Sequence, residues 1–554
     1  MTGRAAENEQ KQQLTAIGER TKHRSLNKLA KLKHHPAPGS GQNKKEEIRG
    51  EDWISRLPVD VLIPILSLLT LKEAGRTSVL SRKWRYLWTF ITCRLNFDAW
   101  EYTMGVRMDL RIRSSAYARW VNQVLKLHQG PFVDEFIIRH RLKPSYYHHV
   151  DSWIKFAFEK GVKTIELDLL SDGGCRRKYT FPSLEKFWSS SNTVQDMQSY
   201  GRVTRAVGSV GFSSLTTLRL IYVDVTDEVI ENFLANCPLL EELHVTFSSQ
   251  LQNLKVVGVS LKLKSLEICQ CLRLRVLEIC AINLVSISYN GQDIRLLLTN
   301  APALSKFSIA GSYCDSLMYK DHLDWSYLQQ LERLKIKFSS KVPLFAQVYM
   351  ASISFPRKFP QLCHLKQLEL EMHAKFGVSL VIYTCLIKAC PSLSRFAMRM
   401  LKSLADFLWK GIIMISGYLT YTWGPSYKFK ESSSSKSSLS SSSSSLSSSS
   451  DEEPYDPKLN VVEEARAQAS TRFQHQCLKV VELVGFIGHA KDVELASHLL
   501  EIAVSLDKLV INPRYPFYLD YPDMIMETEA LERGRKCARL LETKLPPGAR
   551  LVVL

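Results

Sequence analysis

Acidic residues are in short supply in this chain. Its 554 residues hold 55 Asp and Glu against 73 Lys and Arg, for a formal charge of +18 and a pI near 9.3. That balance permits attraction to acidic partners, nucleic acid included. The excess is diffuse, however. Residues 1–50 carry eleven Lys/Arg against five Glu, six of the eighteen surplus charges, and the other twelve are spread over the rest of the chain. No nucleic-acid recognition motif accompanies them, so nucleic acid is not the expected partner.

A disulfide framework is also missing. The twelve cysteines show no framework spacing and no leader-like segment precedes them, so a reduced compartment, nucleus or cytoplasm, is expected. Cys269 and Cys271 lack a second cluster at zinc-site distance and are read as core packing. No apolar run is long enough to span a bilayer. Gly411 to Trp423 falls short of the roughly twenty residues required. There is no Gly-rich phosphate loop, no H-E-x-x-H and no G-x-S-x-G. His148-His149 and Cys363-His364 are isolated pairs, and Cys385 and Cys390 are assigned to a repeat core. These absences argue against an enzyme, a metal centre or a cofactor.

What is present begins with Asp52 to Trp88. Leu57 and Pro58 open a first helical piece, with Pro58 suited to an initial helical position because its missing N–H would have no partner there. Leu62, Ile65, Leu66 and Leu69 recur at helical spacing. Pro64 interrupts that helix, and a bend rather than a break is expected. A second turn follows around Glu73 to Val79. A third piece, Ser81 to Trp88, sets Leu80, Trp84, Leu87 and Trp88 against Arg82, Lys83 and Arg85. Some forty residues cannot bury all these groups alone, and an exposed Leu/Ile/Trp cluster is a docking surface for a partner.

The run Leu57-Pro58, Val61-Leu62, Ile65 to Leu69, Glu73-Ala74, Arg76 to Arg85 and Leu87-Trp88 resembles a plant F-box. The resemblance implies docking on the Skp adaptor of a cullin–RING ubiquitin ligase. It assigns that contact to Leu57, Pro58, Leu62, Ile65, Leu66, Leu80, Trp84 and Leu87. The plain alternative is an unrelated amphipathic helical hairpin.

Farther along, an L-x-x-L-x-L phrase returns: Val162/Ile165/Leu167, Leu215/Leu218/Leu220, Leu240/Leu243/Val245 and Leu263/Leu266/Ile268. It continues at Leu274, Leu304, Leu331, Leu365 and Leu393, then at Leu478 and Leu506. Starts lie 25 residues apart (215 to 240), then 23, and later 27, 34 and 28, the size of a leucine-rich repeat. Each phrase predicts a short strand with inward apolar residues, and the remainder returns the chain by helix or loop. Thr226 is placed to cap a helix carrying Asp227 and Glu228 in its first turn. Asn236-Cys237-Pro238 stops that helix before the next strand, as Ala301-Pro302 and Cys390-Pro391 do in theirs. Between Leu263 and Leu284 the phrases come every ten or eleven residues, so tight turns are expected to replace helices there. A general α/β sheet with leucine strands is the alternative reading.

The x-x-P-x-L phrase resembles the repeats of plant F-box/leucine-rich-repeat proteins, and LKVVELVGF with LDKLVINPR resembles their C-terminal FBD-type segment. The expected fold is α/β: a small N-terminal α-helical F-box followed by a curved leucine-rich-repeat solenoid. Residues 1–48 form a basic, disordered arm, with a candidate nuclear-import patch at Arg20 to Lys33. The F-box spans 49–92, a transitional helical region 93–160 and the repeats 161–400. An insertion with a serine-rich linker (Ser432 to Ser450) takes 401–470, and the cap 471–554. The implied function is an adaptor that joins a Skp adaptor, and through it a cullin, to a client protein. A leucine-rich scaffold with no ubiquitin connection is the second reading, and nucleic-acid binding with steep salt dependence the third.

Overall fold

Each L-x-x-L-x-L phrase places its second and third apolar residues on the same side of a pleated strand, and only stacking hides that side from water. In the computed structural model the described residues are 53–99, 113–169, 177–188, 212–258, 260–314, 328–338, 361–373, 380–402, 473–516 and 529–554. The basic arm, the run Gly411 to Trp423 and the serine-rich linker lie outside them. The chain divides into residues 1–57 and 58–554. In the first unit a single helical turn, Trp53–Arg56, is described.

In the second unit, fourteen of the described strands form one parallel sheet in strict chain order, from Arg94–Asp98 to Arg550–Val553. The register stacks the apolar residues in columns. Ile165, Leu218, Leu243, Leu266, Ile287, Phe307, and Leu334 lie side by side, and all are buried. Each such side chain contributes roughly 1.5–3 kcal/mol by leaving water, which makes the columns the main source of stability. The capped helix Asp227–Asn236 forms as expected. Thr226 Oγ1 accepts from the Val229 N–H at 3.4 Å, and Val229, Ile230, Phe233 and Leu234 face the core.

Two expectations change. The array starts at Arg94, not near 161: strands Arg94–Asp98 and Glu135–Arg139 pair with Thr164–Asp168 in the same sheet. Helices Ser114–Leu127 and Tyr147–Glu159 fill the first two coils. The closely spaced phrases are not closed by turns only. Successive strands alternate between the main sheet and a second parallel sheet made of Asn253–Val257, Val276–Cys280 and Arg295–Asn300. A strand replaces the returning helix, so Leu277 and Ile279 meet the core from the opposite side to Leu266 and Ile268.

The strand exits share a tight turn. Tyr222 and Phe247 each sit one residue past a strand in the left-handed region, at φ 57° and 60°, and each donates its N–H to the end of the next strand at 2.9 Å. Gly485 makes the same turn at φ 79°, donating to Asn512 O at 2.8 Å. A Cβ there would lie 2.3 Å from the Met400 carbonyl oxygen, so glycine is the residue that fits.

The C-terminal elements are strand Val480–Val484, helix Ala490–Ile502, strand Lys508–Asn512, helix Glu529–Leu540 and closing strand Arg550–Val553. Their docking relies on a buried ion pair. Lys402, just past strand Arg395–Leu401, donates to the Asp492 carboxylate, which also accepts from the N–H groups of Ile487 and His489 at 3.1 Å.

Candidate partner-docking surface

Helix Val59–Ser67 carries two apolar stripes. Leu62 and Leu66 point inward and are fully buried, while Val61, Ile65 and Leu68 recur at i, i+4 and i+7 on a face open to solvent. Pro58 is the N-cap rather than the first helical residue. Its carbonyl accepts from the N–H groups of Val61 and Leu62 at 3.1 Å. Pro64 is exposed and the helix runs through it, so the carbonyl deprived of its N–H partner can be served by water. Helix Leu71–Arg76 begins with a capping box. Thr70 Oγ1 accepts from Glu73 N–H at 3.2 Å, and Glu73 Oε2 accepts from Thr70 N–H at 3.1 Å.

The expected third piece, Ser81 to Trp88, is a 3-10 turn, Trp84–Phe90, and another 3-10 turn, Thr77–Val79, ends the piece before it. Their tighter winding parts residues that an α-helical reading groups together. Trp84 and Leu87 turn inward, whereas Leu80 is 65% exposed. Of the eight residues expected to contact an adaptor, Leu62, Leu66, Trp84 and Leu87 are therefore core. They help to hold the unit together. Pro58, Ile65 and Leu80 are open to solvent, and Leu57 is half-buried at the end of the first unit.

The outward apolar set is larger than the sequence reading named. Val59, Val61, Leu68, Leu69, Val79 and Tyr86 join Ile65 and Leu80. Among the described residues of the second unit, eight of seventeen exposed large hydrophobics fall between Val59 and Tyr86. Scattered apolar residues need no explanation, but a concentration of this kind marks an interaction surface. The i, i+4, i+7 spacing of Val61, Ile65 and Leu68 was the signal available beforehand.

This surface is fastened to the first repeat without an intervening linker. Thr89 O accepts from Gln129 and Gly130 N–H at 2.8 and 3.2 Å, and Thr92 O accepts from Asp134 N–H at 2.8 Å. The buried His128 ring places Nε2 2.8 Å from Ile91 O. Burial holds the His128 pKa below its ordinary 6.5, an effect that the Ile91 carbonyl opposes and nearby Lys160 assists. On acidification the unfolded chain therefore takes up this proton first. The contribution of His128 to stability is complete above the unfolded value and is lost as pH falls through the folded one. Melting between about pH 8 and about pH 5 is expected to show a steeper loss in the native chain than in His128→Gln.

The chemistry-bearing residues elsewhere are packed. Burial pushes the thiols of Cys237, Cys271 and Cys390 up to about 12, and that of Cys269 up to about 11, values that suit inert thiols rather than nucleophiles. Cys269 is half-buried on the outward side of its strand rather than in the core. His149 stacks on Trp153 at 6.1 Å, with Nδ1 3.3 Å from the Asn122 amide. Among the described residues no group of three His, Cys, Asp or Glu is arranged to hold a metal ion. No described helix is long and apolar enough to cross a membrane.

A family profile for the F-box domain matches residues 54–92, and one described as "At1g61320/AtMIF1, LRR domain" matches residues 124–408, more than half of the chain. The chain belongs to the plant F-box/leucine-rich-repeat proteins. Similar Arabidopsis thaliana proteins include "F-box/FBD/LRR-repeat protein At1g13570", 29% identical over 333 residues, covering 58% of this chain and 68% of the relative. "Putative F-box/LRR-repeat protein At5g02700" is 31% identical over 196 residues, 35% of this chain and 39% of the relative. "F-box/LRR-repeat protein At3g03360" is 26% identical over 325 residues, 55% of this chain and 63% of the relative. The chain thus spans less than two thirds of the length of the second and third of these. The FBD-like C-terminal segment fits the relatives so named. F-box/leucine-rich-repeat proteins are in general non-catalytic adaptors.

Proposed function

We propose that this F-box/leucine-rich-repeat chain is the substrate-recognition subunit of a Skp–cullin–F-box ubiquitin ligase. The observation that carries this reading is the apolar face of Val61, Ile65, Leu68, Val79 and Leu80, left open on a unit whose own core is complete. Burying that face against a Skp-type adaptor would gain roughly 25 cal/mol per Å² of apolar area. The repeats would hold a client protein, and the bonds from Thr89, Ile91 and Thr92 would keep client and adaptor in a fixed relation. Catalysis would belong to the ubiquitin-carrying enzyme brought near, with this chain raising the effective concentration of the client beside it. The same reading sets the protein in the nucleus or cytoplasm.

Co-expression of the full chain with a plant Skp adaptor, followed by size-exclusion chromatography, tests the proposal. The native chain is expected to elute as a one-to-one complex, and Ile65→Asp with Leu80→Asp to elute alone with unchanged circular dichroism. Absence of a complex with the native chain would leave the scaffold reading in its place.

A further inference from the structure

The register of the main sheet aligns residues far apart in sequence, and on the side turned away from the core it sorts charge. On the first six strands, up to Ser265–Cys269, the outward positions hold Asp98, Glu135, Glu166, Asp168, Glu242 and Glu267 against Arg94, Arg139 and Arg219. These groups largely satisfy one another. Arg139 bridges Asp98 and Glu166 at 3.2 and 2.6 Å, Arg219 reaches Glu242 at 2.8 Å, and His244 meets Glu267 at 2.9 Å. Strand Ser286–Gly291 is neutral. Beyond it the balance reverses. Glu369, Glu371 and Glu482 are the outward acids on the last seven strands, and they are matched by Lys335, Lys337, Arg399 and Arg395.

Four outward cations remain: Lys306, Arg333, Lys508 and Arg550. They form no ion pair among the described residues, although Arg333 lies close enough to its neighbour Glu332 to help lower that carboxyl's pKa. All four occupy one register row, at the entry end of their strands, with Gln367, Arg395 and Val480 between them. Six inter-strand steps of about 4.8 Å make this row about 29 Å long.

We propose that this row receives an acidic stretch of the client polypeptide laid across the strands. The inference rests on the repeats being the client-binding end. An extended segment of about nine residues spans the row, and its alternate side chains, about 7 Å apart, can meet the lone cations, while Glu369, Glu371 and Glu482 lie two or four residues further along their strands. A nucleic acid fits less well. Its charges recur without gaps, one per roughly 1.7 Å of duplex axis, so it would be driven onto Glu369, Glu371, Glu482 and the carboxylate-rich half. That half orients the client, because basic residues flanking its acidic stretch are favoured there.

Fluorescence anisotropy on the full chain bound to its Skp adaptor, or on the chain alone if no complex forms, tests this separately from adaptor docking. The probes are a labelled peptide of about ten alternating Glu and Ser residues, its Lys–Ser counterpart and a single-stranded oligonucleotide of similar length. The Glu–Ser peptide is expected to bind and to weaken as salt rises from roughly 0.05 to 0.3 M. It is also expected to lose at least about tenfold in affinity in the variant Lys306→Glu, Arg333→Glu, Lys508→Glu, Arg550→Glu. Lys126→Glu, on the helix Ser114–Leu127, is the control that leaves affinity unchanged. Native affinity in the four-site variant with unaltered circular dichroism would overturn the inference, as would equal binding of the Lys–Ser peptide or displacement of the Glu–Ser peptide by the oligonucleotide.

Discussion

Trp84→Ala is expected to lower the stability of the helical unit by about 3–5 kcal/mol, the usual cost of emptying a large buried aromatic site. Trp84 is 5% exposed on a 3-10 turn that packs against helix Val59–Ser67, so its removal leaves a cavity that so short a turn cannot close. Leu80→Ala, at a residue 65% exposed, is expected to change stability by no more than about 0.5 kcal/mol. Hydrogen exchange over residues 59–90 reads both changes locally, which matters because a chain of many repeats need not unfold in one step. Both variants should bind the adaptor less well, Trp84→Ala because the face it supports is lost and Leu80→Ala because the face is intact but smaller. Equal destabilisation by the two would contradict the division of inward and outward residues.

The second large effect is expected at Lys402. Lys402→Met leaves the Asp492 carboxylate buried without its cation, a loss of about 3–5 kcal/mol for a pair of this kind. Two N–H groups would still donate to Asp492, from Ile487 and His489, but neither carries a full charge. The damage should concentrate where the C-terminal elements join the array and appear as faster proteolysis of residues 473–554. Lys402→Met with Asp492→Leu removes both charges and should recover much of the loss, since apolar replacement of a buried pair is often nearly neutral. Failure of the double variant to recover would mean that Asp492 acts chiefly as acceptor for the two N–H groups.

Neither residue stands out in the linear chain. Lys402 and Asp492 are separated by ninety positions and by the serine-rich linker, and no local pattern connects them. Trp84 and Leu80 are four apart, the spacing that puts two residues on one face of an α-helix. The segment winds as 3-10 turns instead, and they diverge. The phrase at Leu274, Leu277 and Ile279 is indistinguishable from that at Leu263, Leu266 and Ile268. It nevertheless belongs to the other sheet, because a coil of ten or eleven residues has room only to cross to the opposite side of the core.

From its residues alone the chain was determined to be a helical clip followed by stacked strands, because apolar spacing reports local geometry and each strand carries its own inward pair. The strand–helix grammar around Thr226 and the C-terminal cap were equally local, and both were legible. Tertiary structure decided what depends on register and winding: the start of the array at Arg94, the second sheet, the apolar residues left to solvent and the alignment of Lys306, Arg333, Lys508 and Arg550. Parallel pairing brings together residues tens to hundreds of positions apart, and no window along the chain is wide enough to contain that information.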